Sequence, residues 1–571
     1  MSKHKHKDPT NNNPNLPEMH IALCYNDLWK DYKSIDPLAL INDMPTVALL
    51  NFMVDIHKMV EYAYSDTATQ KQIIRDLISY LPVKDRQKVF QFIRRHDFPF
   101  LISHDTAIYF YSLALSNYCS MDDFEDTDLE LTQVEESSSF KAILYCNQLW
   151  SDSQVADDLS NKDVIDLSIL MDIPICEYKF SKDFRPQIFK AIQFFSFCEK
   201  DPDFKNYLSA FLKDVGTDVW NEYIFILFFF LAEAIEKRQL TMKRELSTFL
   251  SRFIIDTSDP QLKGLWQSPT KNNYFRNKFI FPIDQDSYLL LSSNFLVDKI
   301  YQGLIFDFYD SIIKNGLLQP NQKPFKSYGD FKGLIGNVFS EQHLLYPLMD
   351  RIFDNNCSAK FSGEDLKALG IVGEPDYYVR QGEVLYLFEY KDVTLADDVK
   401  QSKDIDLIKD TILDRVCCHK TNDKGKTRIK GAGQLLEVMN KIINSKDYDK
   451  VDPQISNIKY IAPIVITTDT VYNCNGVNQL VITEFSNILS ANYKIENVFI
   501  QVPILLDYDT LVKLTYPLNN KEFIFFDLIY GYINSPKRLG SFKAYIDDNV
   551  LKGRSITDAE NRFLFKELFQ P

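Results

Sequence analysis

The sequence predicts an α+β multidomain chain: a mostly α-helical amino-terminal half that carries a candidate internal duplication, followed by an α/β unit with a mixed sheet. Three observations lead to this. The 571 residues exceed what one hydrophobic core organises, so roughly two to four domains are expected. Residues 20–245 place apolar side chains at helical spacing, as in Ile73, Leu77, Leu81 and in Val89, Phe92, Ile93. Beyond residue 330, short apolar runs bounded by turn residues alternate with helical segments. An apolar fraction of 45% supplies enough surface to bury, which excludes a disordered chain.

Taken in order, residues 1–19 mix Lys, His, Asn and Pro, lack the apolar stretch of a signal peptide and read as a disordered tail. Residues 20–120 and 140–245 read as two related helical units. Asn26-Asp27-Leu28-Trp29-Lys30-Asp31 recurs as Asn147-Gln148-Leu149-Trp150-Ser151-Asp152, and Gln72-Ile73-Ile74-Arg75 matches Gln187-Ile188-Phe189-Lys190. The offset stays within about 115 to 121 residues and the order is kept; chance similarity between amphipathic helices is the alternative. Equivalent helices would bury Trp29 and Trp150 in equivalent pockets. Residues 121–139, acidic and serine-rich, read as a solvated linker, with an autoinhibitory or nucleic-acid-mimicking strand as the sharper alternative. The run Tyr223–Ala232 is about half the length needed to cross a bilayer and reads as a deeply buried helix. Residues 246–325 form a bridging α+β segment, with a hairpin around Asp284-Gln285-Asp286 and a helix capped by Asn294.

The most informative stretch is Glu374-Pro375-Asp376-Tyr377-Tyr378-Val379, a Gly382-containing turn, then Val384-Leu385-Tyr386-Leu387-Phe388-Glu389-Tyr390-Lys391. It reads as a β-hairpin in which Glu389 and Lys391 share one face and Tyr390 takes the other. With Asp376 beside Glu389, two carboxylates make a hard oxygen site suited to Mg2+ or Mn2+. A lysine two residues on is placed to hold a water or to balance phosphate charge.

Pro375-Asp376, twelve residues, then Glu389-Tyr390-Lys391 resembles the signature of the PD-(D/E)XK nuclease superfamily. The order helix, hairpin, helix, strand, helix, strand over about residues 330–515 matches its αβββαβ core. The resemblance implies a restriction endonuclease-like domain over residues 326–571. It also implies metal held by Asp376, Glu389 and the Tyr390 carbonyl, with Lys391 orienting the nucleophilic water. Gln434, in Lys430-Gly431-Ala432-Gly433-Gln434, stands where family members carry a polar residue on the next helix; the tyrosine that often follows is replaced by Val438. The implied activity is Mg-dependent endonucleolytic cleavage, of DNA rather than RNA, in defence against foreign DNA. A catalytically silent fold serving as a binding scaffold is the rival.

Glu341 interrupts the apolar stripe Val338, Leu345, Leu348, Ile352. An inward acid must pair or bind metal, whereas one at the stripe's edge or in the first helical turn needs neither. Pro347 implies a kink or break there. The net charge of −15 excludes a wholly basic coat. One run is basic, though: Arg415, Lys420, Lys424, Lys426, Arg428 and Lys430 stand against Asp423. It reads as a phosphate-backbone clamp or as a solvated loop. Nine scattered cysteines lack paired metal-ligand spacing, so no zinc site is expected from Cys417-Cys418-His419, and a reducing cytoplasm is. Residues 20–245 are the candidate protein-binding region. No membrane partner is expected, and homo-oligomerisation is left open.

Overall fold

The structure, a computed structural model, describes residues 21–61, 67–96, 99–121, 130–154, 162–176, 182–236, 240–241, 249–267, 274–284, 287–421, 427–445 and 447–566. The tail of residues 1–19, residues 122–129 of the acidic segment, and Lys424 and Lys426 lie outside them. The fold is α+β, with helices first and a mixed sheet in the carboxy-terminal part.

The amino-terminal half contains α1 (Tyr25–Leu28), α2 (Thr46–Glu61), α3 (Thr67–Ile78), α4 (Val83–Arg95) and α5 (His104–Ser116). It continues with α6 (Gln133–Gln154), α7 (Val164–Asp172), α8 (Phe184–Lys200), α9 (Pro202–Val215) and α10 (Trp220–Glu236). Local sequence sets several ends. Asp201 caps α9 ahead of Pro202, and Gly216 closes it at φ 77°. Ser103 accepts the Thr106 amide and opens α5, buried from His104 to Leu115. Asn147 clips the layers together, donating to the carbonyls of Leu23 and Leu101 and accepting from Thr106 Oγ1.

The two Asn-x-Leu-Trp segments meet in space, the Asn26 amide donating to Gln148 Oε1 at 3.2 Å. Their tryptophans do not occupy equivalent pockets. Trp29 ends the four-residue α1, half-buried under Lys141 and Lys88. Trp150 is buried within the 22-residue α6 against Phe100. α6 also absorbs residues 133–139 of the expected linker, because Thr132 and Glu135 form a capping box and Ser139 and Phe140 are buried. α10 is amphipathic rather than deeply buried throughout: Tyr223, Ile224, Leu227 and Phe230 face inward, while Phe225 and Phe229 are more than half exposed. Among the described residues no single helix is long and apolar enough to cross a membrane.

The bridging segment holds β1 (Ile280–Pro282) and β2 (Ser287–Leu290), antiparallel, then α11 (Ser293–Ile300) and α12 (Gln302–Lys314). Ser292, not Asn294, caps α11, its hydroxyl accepting the Asn294 amide.

The carboxy-terminal part begins with α13 (Tyr328–Ile335), a π-helical segment (Gly336–Leu345) and α14 (Tyr346–Ile352). Then come β3 (Ala359–Ser362), α15 (Gly363–Ala368), β4 (Tyr377–Gln381) and β5 (Val384–Lys391), with the β4–β5 turn at Gly382, φ 59°. α16 (Ile405–Val416), the hairpin β6 (Cys417–Thr421) and β7 (Thr427–Gly431), and α17 (Ala432–Asn444) follow. β8 (Tyr460–Thr467), α18 (Val477–Asn492), β9 (Phe499–Ile500), β10 (Ile504–Asp507) and α19 (Tyr508–Asn519) complete the part that matters here. β3, β4 and β5 are an antiparallel meander; β8 joins β5 in parallel, with β9 and β10 parallel on its other side.

Strand alternation divides the sheet's side chains between two cores. Tyr378, Leu385 and Leu387 pack with Ile408, Leu435, Met439 and Val481 from α16, α17 and α18. Tyr377, Val379, Tyr386, Phe388 and Tyr390 face a cluster that runs from Leu23 to Phe565. α13 to α14 supply the layer next to that face, and α8 covers this layer in turn, with Phe194 and Phe197 each 5.4 Å from the Phe339 ring. Lys190 of α8 also pairs with Asp509 at the start of α19 (2.6 Å). The units expected as separate domains therefore share one apolar core.

Candidate active site

Asp376 stands just before β4. The ladder between β4 and β5 ends at Tyr377–Phe388, and the Asp376 carboxylate takes the next open amide, accepting the Tyr390 N–H at 2.7 Å. Its own carbonyl accepts the Gly363 amide at 2.9 Å. A Cβ on Gly363 would lie 3.2 Å from the Pro375 carbonyl and 3.3 Å from the Tyr346 hydroxyl. Glycine there lets α15 approach the chain that presents Asp376.

Glu389 and Lys391 project from the end of β5 to the α17 face of the sheet, which Asp376 shares by alternation with Tyr378. Glu389 is 1% exposed, and Lys391 Nζ donates to its Oε1. Among the described residues its other oxygen, Oε2, has no hydrogen-bond partner. Burial, and then the Asp376 charge, push the Glu389 carboxyl well above the usual carboxylate range. Burial also raises Asp376, against the pull of Lys391. Lys391 is held protonated because Glu389, Asp376 and Glu341 outweigh the effect of its own burial.

Glu341 lies half-buried on the π-helical segment. The kink or break expected at Pro347 takes the form of a change of helix type. Pro347 occupies the first turn of α14, where its missing N–H leaves nothing unsatisfied, and the Tyr346 amide reaches back five residues to the Glu341 carbonyl. Burial raises the Glu341 carboxyl, and Asp376 adds to the rise, so the two acids feel each other.

Behind these groups is an arrangement that sequence reasoning missed. Asp392, next after Lys391, accepts from Lys332 Nζ, Ser340 Oγ and Thr468 Oγ1, each at 2.8 Å. Although desolvation opposes it, Lys332 and these hydroxyls hold the carboxyl of the half-buried Asp392 below the usual range. The network ties the segment carrying Glu341 to the ends of β5 and β8. The only signal was an acid directly after Lys391; its partners are too far along the chain to be paired by spacing.

Gln434 is half-buried in the first turn of α17, the helix packed on the face that carries Glu389. Gly431 and Gly433 allow β6 to cross the start of that helix. A Cβ on Gly431 would fall 2.1 Å from the Val416 carbonyl, and one on Gly433 2.5 Å from that of Cys418. Within the basic stretch, the described residues Cys417–Thr421 and Thr427–Gly431 pair as antiparallel strands, with Lys420 opposite Arg428. Arg428 pairs with Asp414 at 2.9 Å, and Lys430 is half-buried. Tyr390 turns its buried ring to the opposite face, 6.1 Å from Tyr508. None of the nine cysteines is in a disulfide, and Cys417 and Cys418 are buried.

Among the described residues no three Asp, Glu, His or Cys side chains converge as a ready chelating set. The donors at hand are Asp376 and Glu389, whose bare, buried Oε2 is an acceptor without a donor. Two carboxylates fit Mg2+, which keeps several of its waters and takes one or two protein oxygens. Compared with known proteins, the chain matches no family model, no curated protein and no solved structure.

Proposed function

We propose that the chain is a metal-dependent nuclease of the PD-(D/E)XK type, cutting phosphodiester bonds within DNA in preference to RNA. The observation that carries this reading is the convergence of Asp376, Glu389 and Lys391 on one face at the ends of adjacent strands, with Glu389 Oε2 bare. The succession of helix, antiparallel meander, helix and parallel strand supports it further. Asp376 and Glu389 would hold Mg2+ or Mn2+ together with the Tyr390 carbonyl, and Glu341 stands near as a further acid. When bound, the ion supplies Lewis acidity toward the phosphate and lowers the pKa of water. Lys391, released from Glu389, orients the attacking water and offsets phosphate charge. Gln434 lies on the helix beside this face, and the basic residues Lys420, Arg428 and Lys430 of β6 and β7, with Lys424 and Lys426 from the same stretch of sequence, are the candidate contact to the nucleic-acid backbone. The helical half is the sensor or partner-binding module, because α8 presses on the segment that carries Glu341. Defence against foreign DNA in a reducing cytoplasm is the setting this reading suggests.

One observation favours the second reading, a silent fold acting as a scaffold: Lys391 is closed onto Glu389, as in a structural ion pair. Incubation of the full chain with DNA and RNA in Mg2+ or Mn2+, beside Lys391→Ala, separates the two. Metal-dependent scission that the variant loses supports the nuclease. Intact substrate in every lane supports the scaffold.

A further inference from the structure

Tyr346 is not part of the signature, yet the π-helical turn brings it to the site. With hydrogen bonds closing five residues back, its amide bonds to the Glu341 carbonyl, so Tyr346 stacks one turn after that acid. In an α-helix, residues five apart face different directions. The ring packs 6.1 Å from that of Tyr377, and the side chain is half-buried. The point where a Cβ of residue 363 would stand lies 3.3 Å from the Tyr346 hydroxyl and 3.5 Å from the Asp376 Cα. The phenol thus flanks the segment that presents Asp376. Among the described residues none hydrogen-bonds its hydroxyl. Burial and the acids Glu341, Asp376, Glu364 and Glu374 push its ionisation up, so it remains a neutral donor.

A site rich in carboxylates repels a phosphodiester, and Lys391 is shared with Glu389. Lys367, the other nearby cation, is taken by Glu364 (2.9 Å) and Glu374 (3.4 Å). Among the described residues around these acids, the Tyr346 hydroxyl is a donor that can meet an anion without separating an ion pair. We propose that the Tyr346 hydroxyl binds substrate, donating a hydrogen bond to a non-bridging oxygen of a phosphate lying across Asp376 and Glu341. The proposal rests on the nuclease reading and adds to it a specific contact to the strand.

Tyr346→Phe removes the hydroxyl and keeps the ring against Tyr377. In steady-state cleavage of a DNA oligonucleotide the expected result is a KM raised roughly 10- to 100-fold with kcat little changed, the range for a hydrogen bond to a charged group. Mn2+ affinity, measured by calorimetry, should equal that of the wild type. A second measurement is insensitive to any loss of stability. A methylphosphonate replacing a single phosphate near the scissile bond should weaken binding to the wild type and not, at the contacted position, to the variant. An unchanged KM, or equal methylphosphonate penalties in both proteins at every position, overturns the contact. A fall in Mn2+ affinity also overturns it, because Tyr346 would then be supporting the acids. A wild type that cuts nothing, with Lys391→Ala indistinguishable from it, overturns the nuclease reading itself and the contact with it.

Discussion

The most perturbed single residues lie in both halves, and their protonation has consequences that can be signed. In the helical half, the Tyr111 hydroxyl donates to the Leu291 carbonyl and so accepts from His57 Nδ1. His57 Nε2 lies 2.6 Å from His104 Nδ1, so the two rings share a hydrogen bond. Burial, then His57 and Lys182, hold His104 well below its ordinary value. Its contribution to stability is therefore lost as pH falls below about 6.5. Neighbouring Asp105 has the opposite sign. Burial raises it to about 7, so the folded chain keeps a proton that the unfolded chain releases near pH 4. Stability is lost as pH rises across that window and levels off above about 7. Asp105→Asn cannot ionise, and its gain over the wild type should be larger at pH 8, on the order of 4 kcal/mol, than at pH 5. Denaturant melts at the two pH values measure this; a gain independent of pH would mean that Asp105 is solvated. At the same scale, Asp376, Glu389 and Lys391 were legible, because strand alternation and a short turn relate residues close in sequence. Asp392 and Tyr346 were not. One depends on Lys332 and Thr468, the other on a helix type that apolar spacing does not reveal.

Among the elements, the π-helical segment and the start of α17 do most to shape the site. The stripe Val338, Glu341, Leu345 assumed α-helical spacing; the wider register instead turns Ser340 to Asp392 and lets Glu341 and Tyr346 stack. Nothing local announces that register apart from Pro347, whose effect was foreseen as a kink. The capping box Thr132-x-x-Glu135 was present in the chain, but the surrounding acids and serines pointed to a linker. At α17 the glycines are read correctly only with β6 in view, because it is the Cys418 carbonyl that excludes a side chain. Gly433→Ala should force that crossing apart at a cost of about 1–3 kcal/mol, lowering the melting temperature. Because Gln434 and the β6–β7 hairpin move with it, nucleic-acid affinity should fall as well. A variant with the wild-type melting temperature would mean that the crossing relaxes freely.

For the whole molecule, the order of helical half and sheet was foreseen, and a division into separate domains was expected where one apolar core instead runs through both. The sheet unit was expected to stand without the helices, since its own strands and helices account for its pattern. Instead α8 packs on the layer that carries Glu341, through Phe194, Phe197 and the Lys190–Asp509 pair. Aromatic positions show that a surface is buried, not which distant segment buries it. This continuity places the layer behind the acids at the sheet's end and the helices of the amino-terminal half on one apolar core. The account depends on those acids forming a cation site. Calorimetric titration of the full chain with Mn2+ tests it most directly, run beside Asp376→Asn and Glu389→Gln. The account predicts saturable uptake by the wild type and its loss in both variants, each still folded. No uptake by the wild type, or uptake that survives both substitutions, would contradict it.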